Sequence, residues 1–258
     1  MQAAEQARIA EFVRHLSHER RLSPLTCRNY HRDLDQLAAW CSENGIHDWA
    51  SLDDGHVRTF ASVNYRRGLS ARSIQRRLSA ARTFFRYLLR EGHVKKNPVQ
   101  SVSAPKSPKR LPENLDADRM ARLLDIPGDG PLVVRDRALL ELLYSSGLRL
   151  AELTALNIGD VDLREGTVSV TGKGGKDRIV PVGRHAREAL EKWLRVRANL
   201  ADPGERAIFV SQRGARLSPR SVKASVDHWA KRQGFDTRVY PHLFRLSFAS
   251  HLLVSSHD

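Results

Sequence analysis

The chain has 258 residues, of which 41% are hydrophobic and 28% charged, a composition that excludes a disordered tail and suits two domains of ordinary size. No apolar run approaches the roughly 20 residues of a membrane-spanning helix, and the first residues lack the basic and apolar regions of a secretory signal. A cytoplasmic protein with no membrane partner is therefore expected. The cysteines, Cys27 and Cys41, fall in one predicted helix and are interpreted as small apolar core residues, not as a disulfide.

The net charge is +14, and it is concentrated in one part of the sequence. Residues 51–110 contain 14 Lys and Arg against 3 Asp and Glu. Such an excess of like charge repels itself unless a polyanion neutralises it, which indicates a nucleic acid partner. A solvated basic face without a partner is the alternative. Membrane phosphates are a weaker one, because no amphipathic anchor accompanies the charge.

The first part of the chain is predicted to be all-helical. Apolar residues at helical spacing predict four helices, over residues 5–20, 24–44, 53–65 and 71–91. Ser23 and Ser70 are the expected N-caps of the second and fourth helices. Four helices joined by short turns predict a compact domain over residues 1–96.

The fourth predicted helix carries many arginines. Its expected apolar ridge is Ile74, Leu78, Phe85 and Leu89. The other side carries Arg90 and the candidate DNA-binding residues, which are Arg72, Arg76, Arg77, Arg82 and Arg86. Guanidinium groups spaced along one helix are suited to contact successive phosphates of a duplex.

A proline-rich basic segment follows, over residues 97–112. It contains Pro98, Pro105, Pro108 and Pro112, with three candidate DNA-binding residues, Lys106, Lys109 and Arg110. Prolines at this density favour an extended, semi-rigid linker, which we expect to run along a phosphate backbone. The domain boundary is placed near residue 110, and the second domain over residues 113–258.

The second domain is predicted to be mixed. Helices are expected over residues 116–125, 132–146, from about 150, over 184–198, over 218–233 and from Pro241 toward Ser256. Alternating β-branched residues around Val161, Thr167 and Arg178 predict a small antiparallel sheet, and Ile208 begins a further strand-like stretch. The fold class is therefore mainly α with a small antiparallel sheet.

Four residues of this domain form a candidate active site, although each of them alone could be an ordinary solvated side chain. Arg149 follows a turn at Gly147, Lys173 lies in a glycine-rich hairpin that is not a P-loop, and His242 and Arg245 share a helix face. Together they suit phosphodiester transesterification without a metal or other cofactor. The arginines would clamp the non-bridging oxygens, the lysine would protonate the leaving 5′ oxygen, and the histidine would assist proton movement.

The motifs extend over nearly the whole chain. They include Glu19-Arg-Arg-Leu-Ser-Pro-Leu-Thr, Asn29-Tyr-His-Arg-Asp-Leu, Gly147-Leu-Arg-Leu-Ala-Glu-Leu, Gly172-Lys-Gly-Gly-Lys-Asp-Arg and His242-Leu-Phe-Arg. With them the sequence resembles the tyrosine site-specific recombinases of the phage integrase family, specifically the bacterial Xer type. The resemblance implies a helical core-binding domain and a catalytic domain that close as a clamp around DNA.

The resemblance also implies roles and partners. Arg149 and Arg245 resemble the family's phosphate-binding arginines, Lys173 its general acid and His242 its histidine. Glu152 resembles the family's buried acidic helper. The implied reaction forms a 3′-phosphotyrosyl intermediate, exchanges strands through a Holliday junction, and uses neither metal nor nucleotide. The implied partners are a double-stranded recombination site, the sister recombinase XerD and the FtsK translocase, in the resolution of chromosome dimers at cell division.

The sequence departs from the family at several positions. Phe244 and Leu246 replace a usual leucine and histidine, and Val254 stands where glutamate is common. The sequence ends at Asp258, before the family's nucleophilic tyrosine, and none of its five tyrosines is interpreted as a substitute. We therefore expect this chain to bind DNA without cleaving it by itself. A XerD-like protein, a mobile-element integrase, a non-catalytic DNA-binding relative and a general nucleic-acid-coating protein are the alternatives.

Overall fold

The computed structural model describes residues 1–106, 114–172 and 175–255, with side chains through residue 253. It divides into two compact units, Met1–Lys109 and Arg110–Asp258. Within the described ranges no helix is long and apolar enough to cross a membrane.

The first unit contains the four predicted helices, which are α1 (Ala3–His18), α2 (Pro24–Glu43), α3 (Asp54–Arg66) and α4 (Ala71–Arg90). The Ser23 and Ser70 side chains accept hydrogen bonds from the first turns of α2 and α4, so both predicted N-caps are confirmed. The ridge of α4 differs at one position. Leu89 is 44% exposed, because Phe85 and Leu88 occupy the side of the helix that faces the core.

An aromatic cluster fills the core of this unit. The Phe84 ring contacts Phe12 and Trp49 edge to face, with centroids 5.3 and 5.1 Å apart. Cys27 and Cys41 are buried free thiols, which confirms their interpretation as core residues. Burial raises the pKa of the Cys41 thiol to about 12, so it stays protonated at neutral pH.

The start of the predicted linker packs onto the first unit instead of extending away from it. Val99 and Val102 are buried in the core of this unit. The Arg82 guanidinium donates to the carbonyl oxygens of both valines, at 3.3 and 2.9 Å. Two apolar side chains one turn apart outweigh the extended tendency of Pro98, because their burial requires the chain to turn back.

The second unit contains six α-helices, one 3₁₀-helix (Ile158–Asp160) and three strands among the described residues. The helices are α5 (Ala117–Leu124), α6 (Pro131–Ser146), α7 (Leu150–Ala155), α8 (Arg184–Arg197), α9 (Pro219–Arg232) and α10 (Pro241–Ser255). The strands are β1 (Val161–Asp162), β2 (Thr167–Thr171) and β3 (Asp177–Pro181), which form one antiparallel sheet in the order β1-β2-β3. The predicted fold class is confirmed.

Helix α6 runs through the core of the second unit and packs against α8 and α10. It buries a charged pair, in which the Arg135 guanidinium binds Asp136 at 2.7 Å while the Trp229 indole N–H donates to the other Asp136 oxygen. The stretch that begins at Ile208 is buried in this core but makes only isolated bridges at Ala207 and Val210. The expected strand there is therefore wrong.

Candidate active site

The turn that ends α6 requires glycine. Gly147 has φ of 54°, in the left-handed region that favours glycine, and a Cβ there would lie 2.6 Å from the ring of Phe248. Because Phe248 belongs to α10, this close approach seats the turn directly on α10. The turn leads into α7, for which Arg149 is the N-cap.

Arg149 is held at two points by one carboxylate. Its backbone N–H donates to Glu152 Oε2 and its Nη1 donates to Glu152 Oε1, both at 2.9 Å. The Glu152 side chain is 5% exposed, whereas that of Arg149 is 55% exposed. The guanidinium is thus anchored on one side and open to a ligand on the other.

The same carboxylate binds a second arginine, Arg178 on β3. Arg178 donates from Nη1 to Oε1 and from Nη2 to Oε2 of Glu152, at 2.9 and 2.8 Å. Burial raises the pKa of Glu152, but the hydrogen bonds from Arg178 and Arg149 outweigh burial and lower that pKa to about 2. Glu152 therefore remains ionised at any physiological pH.

Helix α10 brings the second predicted arginine to the same turn. Arg245 Nη1 donates to the carbonyl oxygen of Gly147 at 2.9 Å, across 98 positions of sequence. His242, one turn earlier on α10, is exposed and lines a cavity of about 850 Å³ together with Arg149. The structure thus places Arg149 and His242 on one cavity and fixes Arg245 to the backbone of the turn before Arg149, while Lys173 lies outside the described residues.

The cavity has further polar walls that the sequence analysis did not identify. They are Lys223, Asp227, Arg238 and Tyr240. Two of these are cationic and one is anionic, so with Arg149 the lining is net positive and suits an anionic ligand. Arg178 was also missed as a functional candidate, although it is the last residue of the glycine-rich motif that begins at Gly172.

The departures from the family pattern are accommodated by the core. Phe244 is completely buried in the hydrophobic core of the second unit. Leu246 is half-buried on the same helix. Phe244 therefore supports the position of α10, on which His242 and Arg245 lie.

The predicted arginine face of α4 is divided in the structure. Arg72, Arg76 and Arg86 are exposed, and Arg76 forms an ion pair with the buried Asp33. Arg77 and Arg82 are half-buried, with Arg77 bonded to Asn64 and Arg82 to the backbone beyond α4. Donors used inside the protein favour a structural role for these two side chains.

The basic residues that follow α4 are only partly described. Lys106 is exposed and lines a cavity of about 380 Å³ with Gln75 and Arg82. Lys109 and Arg110 lie outside the described residues.

Both parts of the chain match known families. Residues 9–92 match the phage integrase N-terminal SAM-like domain, and residues 113–258 match the phage integrase family. The tyrosine recombinase XerC of Escherichia coli O127:H6 is 47% identical over 250 residues, which cover 97% of this chain and 84% of that protein. The XerC of Salmonella typhi is 46% identical, with 97% and 83% covered.

Solved structures share the fold. The XerH recombinase bound to palindromic difH in a post-cleavage complex aligns with a TM-score of 0.75 at 23% identity, covering 100% of this chain and 76% of that one. The Tn1549 transposon integrase in complex with circular intermediate DNA aligns with a TM-score of 0.77 at 18% identity, covering 98% and 88%. These alignments confirm the fold, and the family and XerC matches confirm the predicted relationship: the chain belongs to the phage integrase family of tyrosine recombinases and is of the Xer type.

Proposed function

We propose that this Xer-type recombinase holds the scissile phosphate of its DNA between Arg149 and Arg245. The observation that supports this proposal most is the hydrogen bond from Arg245 to the Gly147 carbonyl, because it anchors the Arg245 guanidinium on the turn that leads into Arg149. Both groups would donate to the non-bridging oxygens as charge builds in the transition state. One donor of this kind contributes about 2.7–4 kcal/mol to catalysis.

The remaining roles follow from the chemistry of the side chains. Lys173 would protonate the leaving 5′ oxygen, and His242 would assist proton movement at the phosphate. The shared cavity of Arg149 and His242 supports this assignment, as does its net positive lining. Lys173→Ala should then spare binding and slow cleavage in an assembly that cleaves, and a better leaving group at the 5′ oxygen should restore the rate.

The proposed substrate is a specific double-stranded recombination site. The exposed Arg72, Arg76 and Arg86 on α4 would contact its phosphates, and Lys106, Lys109 and Arg110 would follow the backbone beyond that helix. Competition between a site selected from a random pool and random duplex tests this proposal. Equal affinity for both would instead indicate a general nucleic-acid-coating protein.

The proposed biological role is the resolution of chromosome dimers in the cytoplasm at cell division, with a XerD recombinase and under control of FtsK. The 47% identity to a XerC protein supports this role. Cooperative binding of this chain and the XerD of the same genome to one duplex is the expected result in a gel-shift titration. Independent binding, with no gain in affinity for either protein, would favour a mobile-element integrase.

We further propose that the polypeptide of residues 1–258 binds DNA without cleaving it by itself. Tyr30, Tyr65 and Tyr87 belong to the first unit. The Tyr144 hydroxyl is hydrogen-bonded to His251 Nδ1 at 2.8 Å, and burial raises the pKa of Tyr144, which disfavours a nucleophilic phenolate. Tyr240 lines the cavity two residues before His242, so the test of this proposal includes the Tyr240→Phe variant.

A suicide substrate, whose cleavage traps the protein on DNA, tests the last proposal. No covalent adduct is expected from this polypeptide at saturating duplex. Any covalent adduct of the wild-type polypeptide would contradict the proposal. Loss of that adduct in Tyr240→Phe would then identify Tyr240 as the nucleophile.

A further inference from the structure

We propose that Arg178 is a positioning residue for Arg149: it occupies half of the Glu152 carboxylate, which leaves the Arg149 guanidinium free to hold a phosphate. This inference rests on the proposed function of Arg149. Arg178 itself would act through Glu152 and not by touching DNA.

The hydrogen bonds around Glu152 are divided evenly between the two arginines. Oε1 accepts from Arg149 Nη1 and Arg178 Nη1, and Oε2 accepts from Arg149 N–H and Arg178 Nη2. These four donors match the four acceptor positions of a carboxylate. Because Arg178 supplies two of them, Glu152 takes only one guanidinium nitrogen from Arg149.

Without Arg178, the Glu152 carboxylate would lose two of its four hydrogen-bond donors. A carboxylate that is 5% exposed needs its acceptors satisfied, and its nearest remaining donor would be the Arg149 guanidinium. A bidentate Arg149–Glu152 pair would withdraw both outer nitrogens of Arg149 from a phosphate. It would also be neutral, whereas the triad of Arg149, Glu152 and Arg178 carries one net positive charge.

Arg178 also contacts the stem of the hairpin that carries Lys173 in the sequence. It pairs with Val170 across β2 and β3. A Cβ built on Gly172 would lie 3.1 Å from Arg178 Nη1, so the guanidinium lies over this glycine. One side chain therefore joins α7, which begins after Arg149, to the base of the β2–β3 hairpin.

The experiment uses a duplex selected by the wild-type chain and a series of copies, each with one neutral methylphosphonate. The phosphate that Arg149 holds is identified by its effect on affinity. Its neutralisation weakens DNA binding by the wild type but does not further weaken DNA binding by Arg149→Ala. At that position we expect a wild-type loss of about tenfold or more, as for a hydrogen bond between charged groups. In Arg178→Gln the loss should shrink to less than about threefold, with Arg178→Lys between them because lysine keeps the charge but not the bidentate geometry.

Two controls accompany these variants. Arg164→Gln replaces an exposed arginine of the β1–β2 turn and should keep the full wild-type loss. Arg149→Ala combined with Arg178→Gln should behave as Arg149→Ala alone, since the second residue acts through the first. Carbon-13 NMR of the Glu152 carboxyl should report a higher pKa in Arg178→Gln, which a purely structural substitution elsewhere would not cause.

Each contrary outcome is distinct. If Arg178→Gln is folded and keeps the full loss at the Arg149 phosphate, the positioning role is wrong. If it loses sensitivity at another phosphate instead, Arg178 is a direct DNA ligand and the inference is also wrong. If wild-type binding depends on Arg149 at no phosphate, the proposed function itself fails, and the inference fails with it.

Discussion

At the scale of single residues, Glu152 is the group on which the candidate active site is built. Its carboxylate joins the backbone of Arg149, the guanidinium of Arg149 and the guanidinium of Arg178. In the sequence, Glu152 was a candidate only through the family resemblance, and its pairing with Arg149 was not predicted. Arg178 lies 26 positions away, so only the folded sheet could show that it completes the cluster.

The lowered pKa of Glu152 predicts a pH dependence of stability. Because its pKa falls from the ordinary 4.5 to about 2 on folding, its contribution is complete above pH 4.5 and is lost as the pH falls toward 2. Urea unfolding of the wild type and Glu152→Gln, measured over this pH window, should show a steeper acid-side fall in the free energy of unfolding for the wild type. Parallel curves would mean that Glu152 is not linked to folding in this way.

The turn at Gly147 gives a second prediction at this scale. Gly147→Ala adds both left-handed strain, about 1–2 kcal/mol, and a clash with the Phe248 ring. Gly204 has φ of 82° but no atom within 4 Å of a built Cβ, so Gly204→Ala measures the strain alone. In urea unfolding, Gly147→Ala should lower the free energy of unfolding by more than Gly204→Ala. An equal or smaller cost would show that the turn does not depend on its contact with α10.

At the scale of elements, the sequence predicted the helices well because amphipathic spacing and caps are local signals. Ser23, Ser70 and the short antiparallel sheet are examples that the structure bears out. The segment after α4 was harder to predict from the sequence. It turns back so that Val99 and Val102 fill a core formed by four separate helices. The β-branched and apolar run at Ile208 likewise lacks a partner strand, which no local pattern reveals.

The division of the α4 arginines predicts two different classes of variant. Reversing the exposed Arg72 or Arg86 to glutamate should weaken DNA binding and reduce the slope of log affinity against log salt by about one or more per residue. Arg82→Ala should chiefly destabilise the first unit, since its donors satisfy the Val99 and Val102 carbonyl groups. Fluorescence anisotropy across a salt series and urea unfolding separate the two effects.

The matched control for charge is Arg14→Glu, which reverses an exposed arginine on α1. It should change the salt slope less than either reversal on α4. Equal slopes for all three variants would indicate that DNA binding depends on the net charge of the protein and not on a DNA-binding face of α4.

At the scale of the whole molecule, the two compact units each present exposed or cavity-lining cationic groups. The first unit presents exposed arginines on α4, and the second presents a cavity lined by Arg149, Lys223 and Arg238. Charge alone indicates a nucleic acid partner, but a solvated basic face would give the same composition, so the family motifs were needed to favour DNA. The hydrogen bond from Arg245 to the Gly147 carbonyl depends on the packing of α10 against α6, which no local sequence pattern reveals.

Single methylphosphonate substitutions along a selected duplex test whether Arg149 and Arg245 hold the same phosphate. Affinities of the wild type, Arg149→Ala and Arg245→Ala are measured for every position by fluorescence anisotropy. If the two arginines do hold one phosphate, both variants should lose the wild-type sensitivity to neutralisation at one shared position. Sensitivity lost at two different positions, or at none, would contradict the proposal.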